Sequence, residues 1–322
     1  MKCFVTGGSG FIGRNLIQML KQRGDEVLAL ARSDAAAASV KEAGGEPARG
    51  DLDDEATLAA SMAGCAVVFH SAAQVGDWGD PAVFHRHNVG GTERVLAAAR
   101  RAGVPRVVHV STEAVLVGGP PIVRADETWP LPARPIGLYS LTKGLAEQRA
   151  IAANSPELTT VVVRPRLVWG RGDTTLLPQF VKAVRSGAFA WIDGSHYQTS
   201  TCHVRNVCEG LLAAAERGRG GEVYFVTDGP SIEFREFIGA LLQTQGLTPP
   251  SRSVPRWLAR AVAAGGERLW HTLPLPGRPP LTRNAVRLIG EEVTVCDDKA
   301  RRELGYRGSV SVQAGLAEMR PG

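Results

Sequence analysis

The chain has 322 residues, 44% hydrophobic and 21% charged, an ordinary globular make-up long enough for one large domain or two lobes. Its net charge of +5 comes from arginines scattered along the chain, with no block of like charge, so no nucleic-acid partner is expected. No run approaches the roughly 18 apolar residues of a membrane span, and the N-terminus enters an apolar strand without the features of a secretion signal, so a cytoplasmic location is expected. Cys3, Cys65, Cys202, Cys208 and Cys296 are odd in number and scattered, which reads as reduced core thiols. The local group Cys202, His203 and Cys208 lacks the second pair of a zinc knuckle, and no metal is expected.

In chain order, the apolar strand from Lys2 runs into Thr6-Gly7-Gly8-Ser9-Gly10-Phe11-Ile12-Gly13 and then into an amphipathic helix. Phe11, Ile12, Leu16, Ile17 and Leu20 recur at helical spacing, and Gly24 stops the helix. Glu26 to Ala31 closes a strand-helix-strand unit. Glycines in the pattern Gly-x-x-Gly-x-x-Gly at such a turn let backbone approach a pyrophosphate, while the helix N-terminus offers amide donors, so a dinucleotide site is predicted. Arg32 follows where the chain meets the adenosine ribose. A carboxylate there would repel a 2′-phosphate, whereas an arginine offers it charge and a flat fork, or else lies solvated on the surface.

A helix with alanines precedes Gly50-Asp51-Leu52-Asp53, in which Asp51 either holds the adenine amine or caps the helix through Ala63. Ala66 to Phe69 reads as a buried parallel strand, and Ser71-Ala72-Ala73 is a small-residue exit open to a ligand. Phe84 to Gly103 is a long helix with Asn88 near its start. Arg106 to Thr112 is a strand ending in two hydroxyls, at the carboxyl edge where open parallel sheets bind ligands. Tyr139 and Lys143, four apart, share one face of a helix, which places a cation beside a phenol and favours its ionised form. Thr159 to Arg164 is another buried strand, Trp191-Ile192 an edge element, and Thr199 to Val204 and Val223 to Val226 short strands around the helix Asn206 to Glu216. From Ser231 onward the strand-helix alternation stops.

The set TGGSGFIG at Thr6 to Gly13, SAA at Ser71 to Ala73, NVGGT at Asn88, VST at Val110 to Thr112, YSLTK at Tyr139 to Lys143 and RPRLVWGRGD at Arg164 to Asp173 resembles the extended short-chain dehydrogenase/reductase family across essentially the whole chain. Within it, QVGDWG at Gln74 to Gly79, STEAVLVGGPP at Ser111 to Pro121, PPLTR at Pro279 to Arg283 and ARRELGY at Ala300 to Tyr306 are most similar to the 3β-hydroxysteroid dehydrogenase branch, which also holds sterol-4α-carboxylate dehydrogenases and 2-alkyl-3-oxoalkanoate reductases.

That resemblance implies a doubly wound α/β Rossmann-like sheet with a smaller helical substrate lobe, divided as residues 1–170 completed by 199–228, and 171–198 with 229–322. It implies hydride transfer between a nicotinamide cofactor and a secondary alcohol or ketone. Tyr139 would be the general acid/base, Lys143 would lower its pKa and hold the nicotinamide ribose, Thr112 would sit beside the substrate oxygen, and Asn88 would support a proton relay. Implied cofactor contacts are Thr6, Gly7, Gly10, Phe11, Ile12, Gly13, Arg32, Asp51, Leu52, Ser71, Ala72, Ala73, Tyr139, Lys143, Pro165, Arg166, Leu167 and Val168. Ala31 and Arg32 favour NADP(H), with NAD(H) also usable.

A homodimer through the helices at Phe84 to Ala102 and Tyr139 to Ala153 is implied as well. A small apolar substrate, a sterol or a long-chain β-keto acid, would meet Thr112, Glu113, Leu177, Trp191, Trp257 and Trp270, with Val254 to Pro276 as a mobile cover, a helix broken at Gly265-Gly266. Two other classes share the scaffold: nucleotide-sugar epimerases or dehydratases, whose Thr-Asp-Glu signature is only partly echoed by Thr112-Glu113-Ala114, and non-catalytic regulators that bind the cofactor without turnover.

Overall fold

In the computed structural model, which describes residues 1–273 and 275–320, seven strands form one parallel sheet. They are β1 (Lys2–Thr6), β2 (Glu26–Ala31), β3 (Glu46–Arg49), β4 (Val67–His70), β5 (Arg106–Val110), β6 (Thr159–Pro165) and β7 (Val223–Val226). Their spatial order is β7-β6-β5-β4-β1-β2-β3. The chain winds outward from β1 through β2 and β3, then returns to place β4 on the other side of β1, which opens a crevice at the carboxyl ends of β1 and β4. Thr6 and His70 are register partners at that point.

Both faces of the sheet are buried, which is why its strands read as continuous apolar runs. Alternate side chains go to opposite layers. Cys3, Val5 and Phe69 pack with Leu16, Ile17 and Leu20 of helix α1 (Phe11–Gln22), whereas Phe4 and Val68 pack with Leu58 and Met62 of α3 (Glu55–Met62) and with Val95, Leu96 and Ala99 of α4 (Gly91–Arg101). Helix α2 is Asp34–Glu42 and α5 is Leu138–Ala152.

Beyond the sheet, helices α6 (Leu177–Arg185) and α8 (Phe234–Gln243) share an aromatic core with Trp169, Phe189 and Trp191, while α7 (Val204–Arg217) covers the sheet. The C-terminal elements are α9 (Arg256–Thr272), α10 (Arg283–Ile289), α11 (Asp298–Leu304) and α12 (Val312–Met319). Among the described residues no helix is long and apolar enough to cross a membrane.

Several expectations change. Strand β3 was hidden because Glu46-Pro47-Ala48-Arg49 is an edge strand with a charge at each end. The long helix begins earlier, as Pro81–Phe84, and passes through a π-helical turn, His85–Gly90, before α4. Thr199 to Val204 is two dipeptide strands, Gln198–Thr199 and Cys202–His203, and α7 already starts at Val204. Ala300, Leu304 and Tyr306 pack into the sheet's own core, so this part of 229–322 belongs with the sheet; Pro274, Pro321 and Gly322 of the expected lobe lie outside the described residues.

Helix α9 runs unbroken through Gly265 and Gly266. Each glycine costs about 1 kcal/mol in a helix interior relative to alanine. Ala259 and Ala263, packed with Ile192 and Val286, hold the helix down, and a Cβ at Gly266 would meet the Pro279 Cβ at an ordinary contact distance of 3.7 Å.

Candidate active site

The crevice has a backbone wall and a side-chain wall. On the first, Gly7 adopts φ +72°, and a Cβ there would lie 2.7 Å from the Ala72 amide nitrogen. At Gly13 a Cβ would lie 2.1 Å from the Gly7 carbonyl oxygen, so the helix rests directly on the turn. Gly10 precedes α1, where no side chain caps the helix and no acid occupies the first turn. Its own Cβ position is near only the Gly7 carbonyl, at 3.2 Å. Uncapped amides beside a glycine with open space suit a pyrophosphate, with Phe11 and Ile12 in the first turn.

Thr6 is not free for a ligand. Its hydroxyl accepts the Ala72 N–H at 3.3 Å and meets His70 Nδ1 at 2.7 Å, while His70 Nε2 meets the Thr92 hydroxyl at 2.9 Å and that hydroxyl donates to the Asn88 carbonyl at 2.7 Å. The bonds are consistent only if neutral His70 donates from Nε2 and accepts at Nδ1. Burial, with the Lys143 charge nearby, pushes His70 down to about 3, in keeping with a neutral ring.

Around the adenosine end, Arg32 is exposed and makes no hydrogen bond or ion pair among the described residues. Asp51 does not cap the following helix: Asp54 does, accepting from the Thr57 amide at 3.0 Å, while Asp51 accepts from Asp53 N at 3.2 Å. Leu52 lies against Gly91. Ser71 donates its amide to the Thr6 carbonyl at 3.3 Å, which leads Ala72 and Ala73 past the glycine turn. Pro165 ends β6, Val168 pairs with Cys202, and Leu167 between them holds φ +44°. Such a left-handed branched residue costs on the order of 1–3 kcal/mol, and strain of this kind clusters at functional sites.

On the side-chain wall, α5 presents Tyr139 in its first turn and Lys143 one turn on. Lys143 is 3% exposed; its ammonium donates to the Val110 carbonyl at 2.6 Å and lies 3.5 Å from His109 Nε2. Burial draws it down to about 8, opposed by the Glu147 carboxylate. Burial raises the Tyr139 phenol, aided by the charges of Glu113 and Asp77, and a hydrogen bond with Thr112 works the other way. The expected lowering by Lys143 is absent, because that ammonium is aimed at β5.

Thr112 donates to Glu113 at 2.9 Å, and Glu113 in turn is held by Arg166 at 2.7 Å. Arg166 also reaches the Thr199 hydroxyl at 3.2 Å and the Leu288 carbonyl at 2.8 Å. Both charged groups are buried, so Glu113 and Arg166 form an internal ion pair tying the site's floor to the C-terminal region. Asn88 binds Gln74 and Thr142, with no side-chain bond to Tyr139 or Lys143.

Of the substrate residues expected from sequence, Leu177 and Trp191 are 7% and 2% exposed and belong to the aromatic core, where the Trp191 indole donates to the Pro250 carbonyl at 2.9 Å. Trp257 is the reverse, 70% exposed. The inner face of α9 is alanine, not tryptophan: Leu258, Val262 and Leu269 point outward with Trp257. Trp270 donates to the Pro276 carbonyl at 3.4 Å, and its neighbour His271 stacks on Trp78 at 4.5 Å, which brings this end of α9 to the loop after β4. Sequence reasoning missed His70, His109, Asp77 and Asn284; the histidines interrupt otherwise apolar strands, a signal that marks a buried polar network.

The NAD dependent epimerase/dehydratase family model matches residues 3–227. The chain belongs to the extended short-chain dehydrogenase/reductase family. It is 54% identical to a 4-hydroxy-2-methyl-3-oxo-4-farnesyl-3,4-dihydroquinoline-1-oxide ketoreductase of Stigmatella aurantiaca, over 99% of this chain and 96% of that protein. It is 32% identical to a 3 beta-hydroxysteroid dehydrogenase/Delta 5→4-isomerase of Mycobacterium tuberculosis, over 99% and 90% of the two chains. Among solved structures it is similar to a dTDP-glucose 4,6-dehydratase of Streptomyces venezuelae with NAD bound, at 27% identity and a TM-score of 0.77, covering 99% and 95%. The protein is an NAD(P)-dependent oxidoreductase that interconverts a secondary alcohol and a ketone.

Proposed function

We propose that this enzyme reduces the ketone of a bulky apolar substrate, of the polyprenyl-ring, sterol or long-chain β-keto acid kind, with NADP(H) as preferred cofactor. The observation that carries the reading is Tyr139 set one turn from buried Lys143 on α5, with the Thr112 hydroxyl just past the end of β5. When bound, the nicotinamide supplies hydride chemistry. Thr112 and Tyr139 then hold the substrate oxygen, and Tyr139 gives it a proton during reduction and recovers one in the reverse direction.

A phenol pushed upward by burial stays protonated at neutral pH, which is the form a reductase needs. Lys143 would hold the nicotinamide ribose. Named relatives act on a farnesyl-bearing ring and on steroids, which supports an apolar substrate. Unpaired Arg32 beside Ala31 supports the 2′-phosphate. Five free cysteines support a reducing, cytoplasmic setting, and the enzyme works there as a homodimer through its α4 and α5 faces, which sedimentation equilibrium reads directly.

A dehydratase needs an acid and a base at the elimination, and here Ala114 is inert while Glu113 is locked to Arg166. The test is a panel of prenylated ring ketones, 3-ketosteroids, β-keto acids and nucleotide sugars followed by absorbance of the reduced cofactor. Turnover of the apolar ketones with NADPH is expected; turnover of nucleotide sugars alone would overturn the assignment.

A further inference from the structure

The loop after β4, the start of the catalytic helix and the C-terminal region are joined by side chains that the proton chemistry leaves unused. Asn88 donates to the Thr142 hydroxyl at 2.9 Å and to the Gln74 carbonyl at 3.1 Å, and accepts the Gln74 N–H at 2.7 Å. Turned the other way, its amide would set oxygen against the Gln74 carbonyl and N–H against N–H, so the hydrogen bonds fix its orientation. Three residues after Gln74, Asp77 accepts from the Asn284 amide at 2.5 Å and from the Thr282 hydroxyl at 3.0 Å. Asn284 then accepts the Ser140 hydroxyl at 3.1 Å.

Ser140 and Thr142 stand on the same turn of α5, so the path closes on itself directly after Tyr139. Ser140, Thr142, Asn88 and Asn284 are all 2% exposed or less. Gly137 supports the closure: at φ +88° it lets Asn284 pack on the backbone just before the helix, with Asn284 Cβ only 3.0 Å from where a glycine side chain would begin. Trp78, next to Asp77, stacks on His271 and gives the same loop a second hold on the C-terminal region.

We infer that Asp77 and Asn284 are positioning residues for Tyr139, clamping the loop Gln74 to Gly79 and the C-terminal helices onto the first turn of α5 so that the phenol faces the substrate oxygen. Asp77 is the one charged member of the ring, and bonds to a charged acceptor are the stronger kind. Among the described residues, Asp77 is the only one from Gln74 to Trp78 whose own side chain makes a hydrogen bond. The inference rests on Tyr139 as the acid.

An exchange of the two side chains tests it. Asn284→Asp sets two carboxylates against each other, and Asp77→Asn removes the one charged acceptor. Each alone should lower kcat roughly 10- to 100-fold while the cofactor dissociation constant stays at the wild-type value. Together they restore every bond, with donor and acceptor reversed only between positions 77 and 284: the carboxylate, now on α10, would accept from Ser140 and from the amide, now on the loop, and the oxygen of that amide would accept from Thr282. The double variant should recover kcat to within about threefold of wild type. Ser140→Ala, which removes one hydroxyl and leaves the fold intact, should lower kcat about fivefold.

Singles that retain wild-type kcat, or a double variant no better than the worse single, would overturn the inference. Should the singles fail to fold, the Ser140→Ala rate and the double variant decide it. Loss of activity in Tyr139→Phe without recovery in the exchange defeats the clamp alone; an active Tyr139→Phe defeats both the clamp and the acid it serves.

Discussion

The backbone wall of the crevice and its side-chain wall solve different problems. Around Gly7, Gly10 and Gly13 the site is made by removing side chains, and each glycine answers to backbone within a few ångströms. Around Tyr139 it is made by polar side chains drawn from residues as far apart as Asp77 and Asn284, nearly all buried and bonded to one another. The first arrangement depends on the backbone room at the glycines. The second depends on partners, so deleting one member leaves another buried and unpaired.

That contrast is open to direct attack. The sharpest expected loss is in Glu147→Gln, behind Lys143. Glu147 is fully buried, accepts the Ser111 hydroxyl at 2.6 Å and forms a two-pronged pair with Arg164. Breaking one partner of a buried pair costs about 3–5 kcal/mol. Urea unfolding should show a loss of that order, and a change under about 1 kcal/mol would mean the pair is solvated.

Leu177 and Trp257 should then separate cleanly. Leu177→Ala should cost about 2–5 kcal/mol as a core cavity, whereas Trp257→Ala, on the exposed face, should stay within roughly 0.5 kcal/mol. If Trp257→Ala nevertheless raises KM for apolar ketones, that face contacts substrate; equal stability losses would contradict the packing described here.

How much of this was readable beforehand follows the same division. The glycine turn, the strand ends and the Tyr139–Lys143 spacing are local patterns, each fixed by geometry within a dozen residues, and the sheet followed from them. Edge strand β3 escaped because an exposed edge has no apolar period. Burial of Leu177 and Trp191 escaped because an apolar residue at helical spacing looks the same facing a core or a ligand. The Asp77–Asn284 contact spans more than half the chain, and no short pattern encodes it. The Arg166–Glu113 ion pair escaped for the same reason.

On the backbone wall, Arg32→Ala should weaken NADP(H) about 10- to 100-fold and leave NAD(H) unchanged, because only the 2′-phosphate loses a charge-assisted bond. Titration followed by cofactor fluorescence reads both constants. Equal weakening of the two cofactors would place Arg32 on the adenine instead.

A further effect is in pH. His70 falls from 6.5 in an unfolded chain to about 3 in the fold, so the unfolded state binds the extra proton between those values. Its contribution to stability is complete above pH 6.5 and is lost as the pH drops toward 3, by roughly 1 kcal/mol per unit. Thermal unfolding of His70→Gln across that range should show a shallower acid slope than wild type. An unchanged slope would mean that His70 is protonated in the folded protein.

The central claim is that Tyr139 passes the proton while the glycine turn holds the cofactor, and Tyr139→Phe separates the two. The phenylalanine keeps the ring and removes only the hydroxyl, and general acids contribute about 10² to 10⁴ in rate. Single-turnover reduction of an apolar ketone, measured beside the NADPH dissociation constant, should show a rate loss in that range with binding unchanged. A variant that retains more than roughly a tenth of the wild-type rate, or that loses cofactor binding along with turnover, would contradict it.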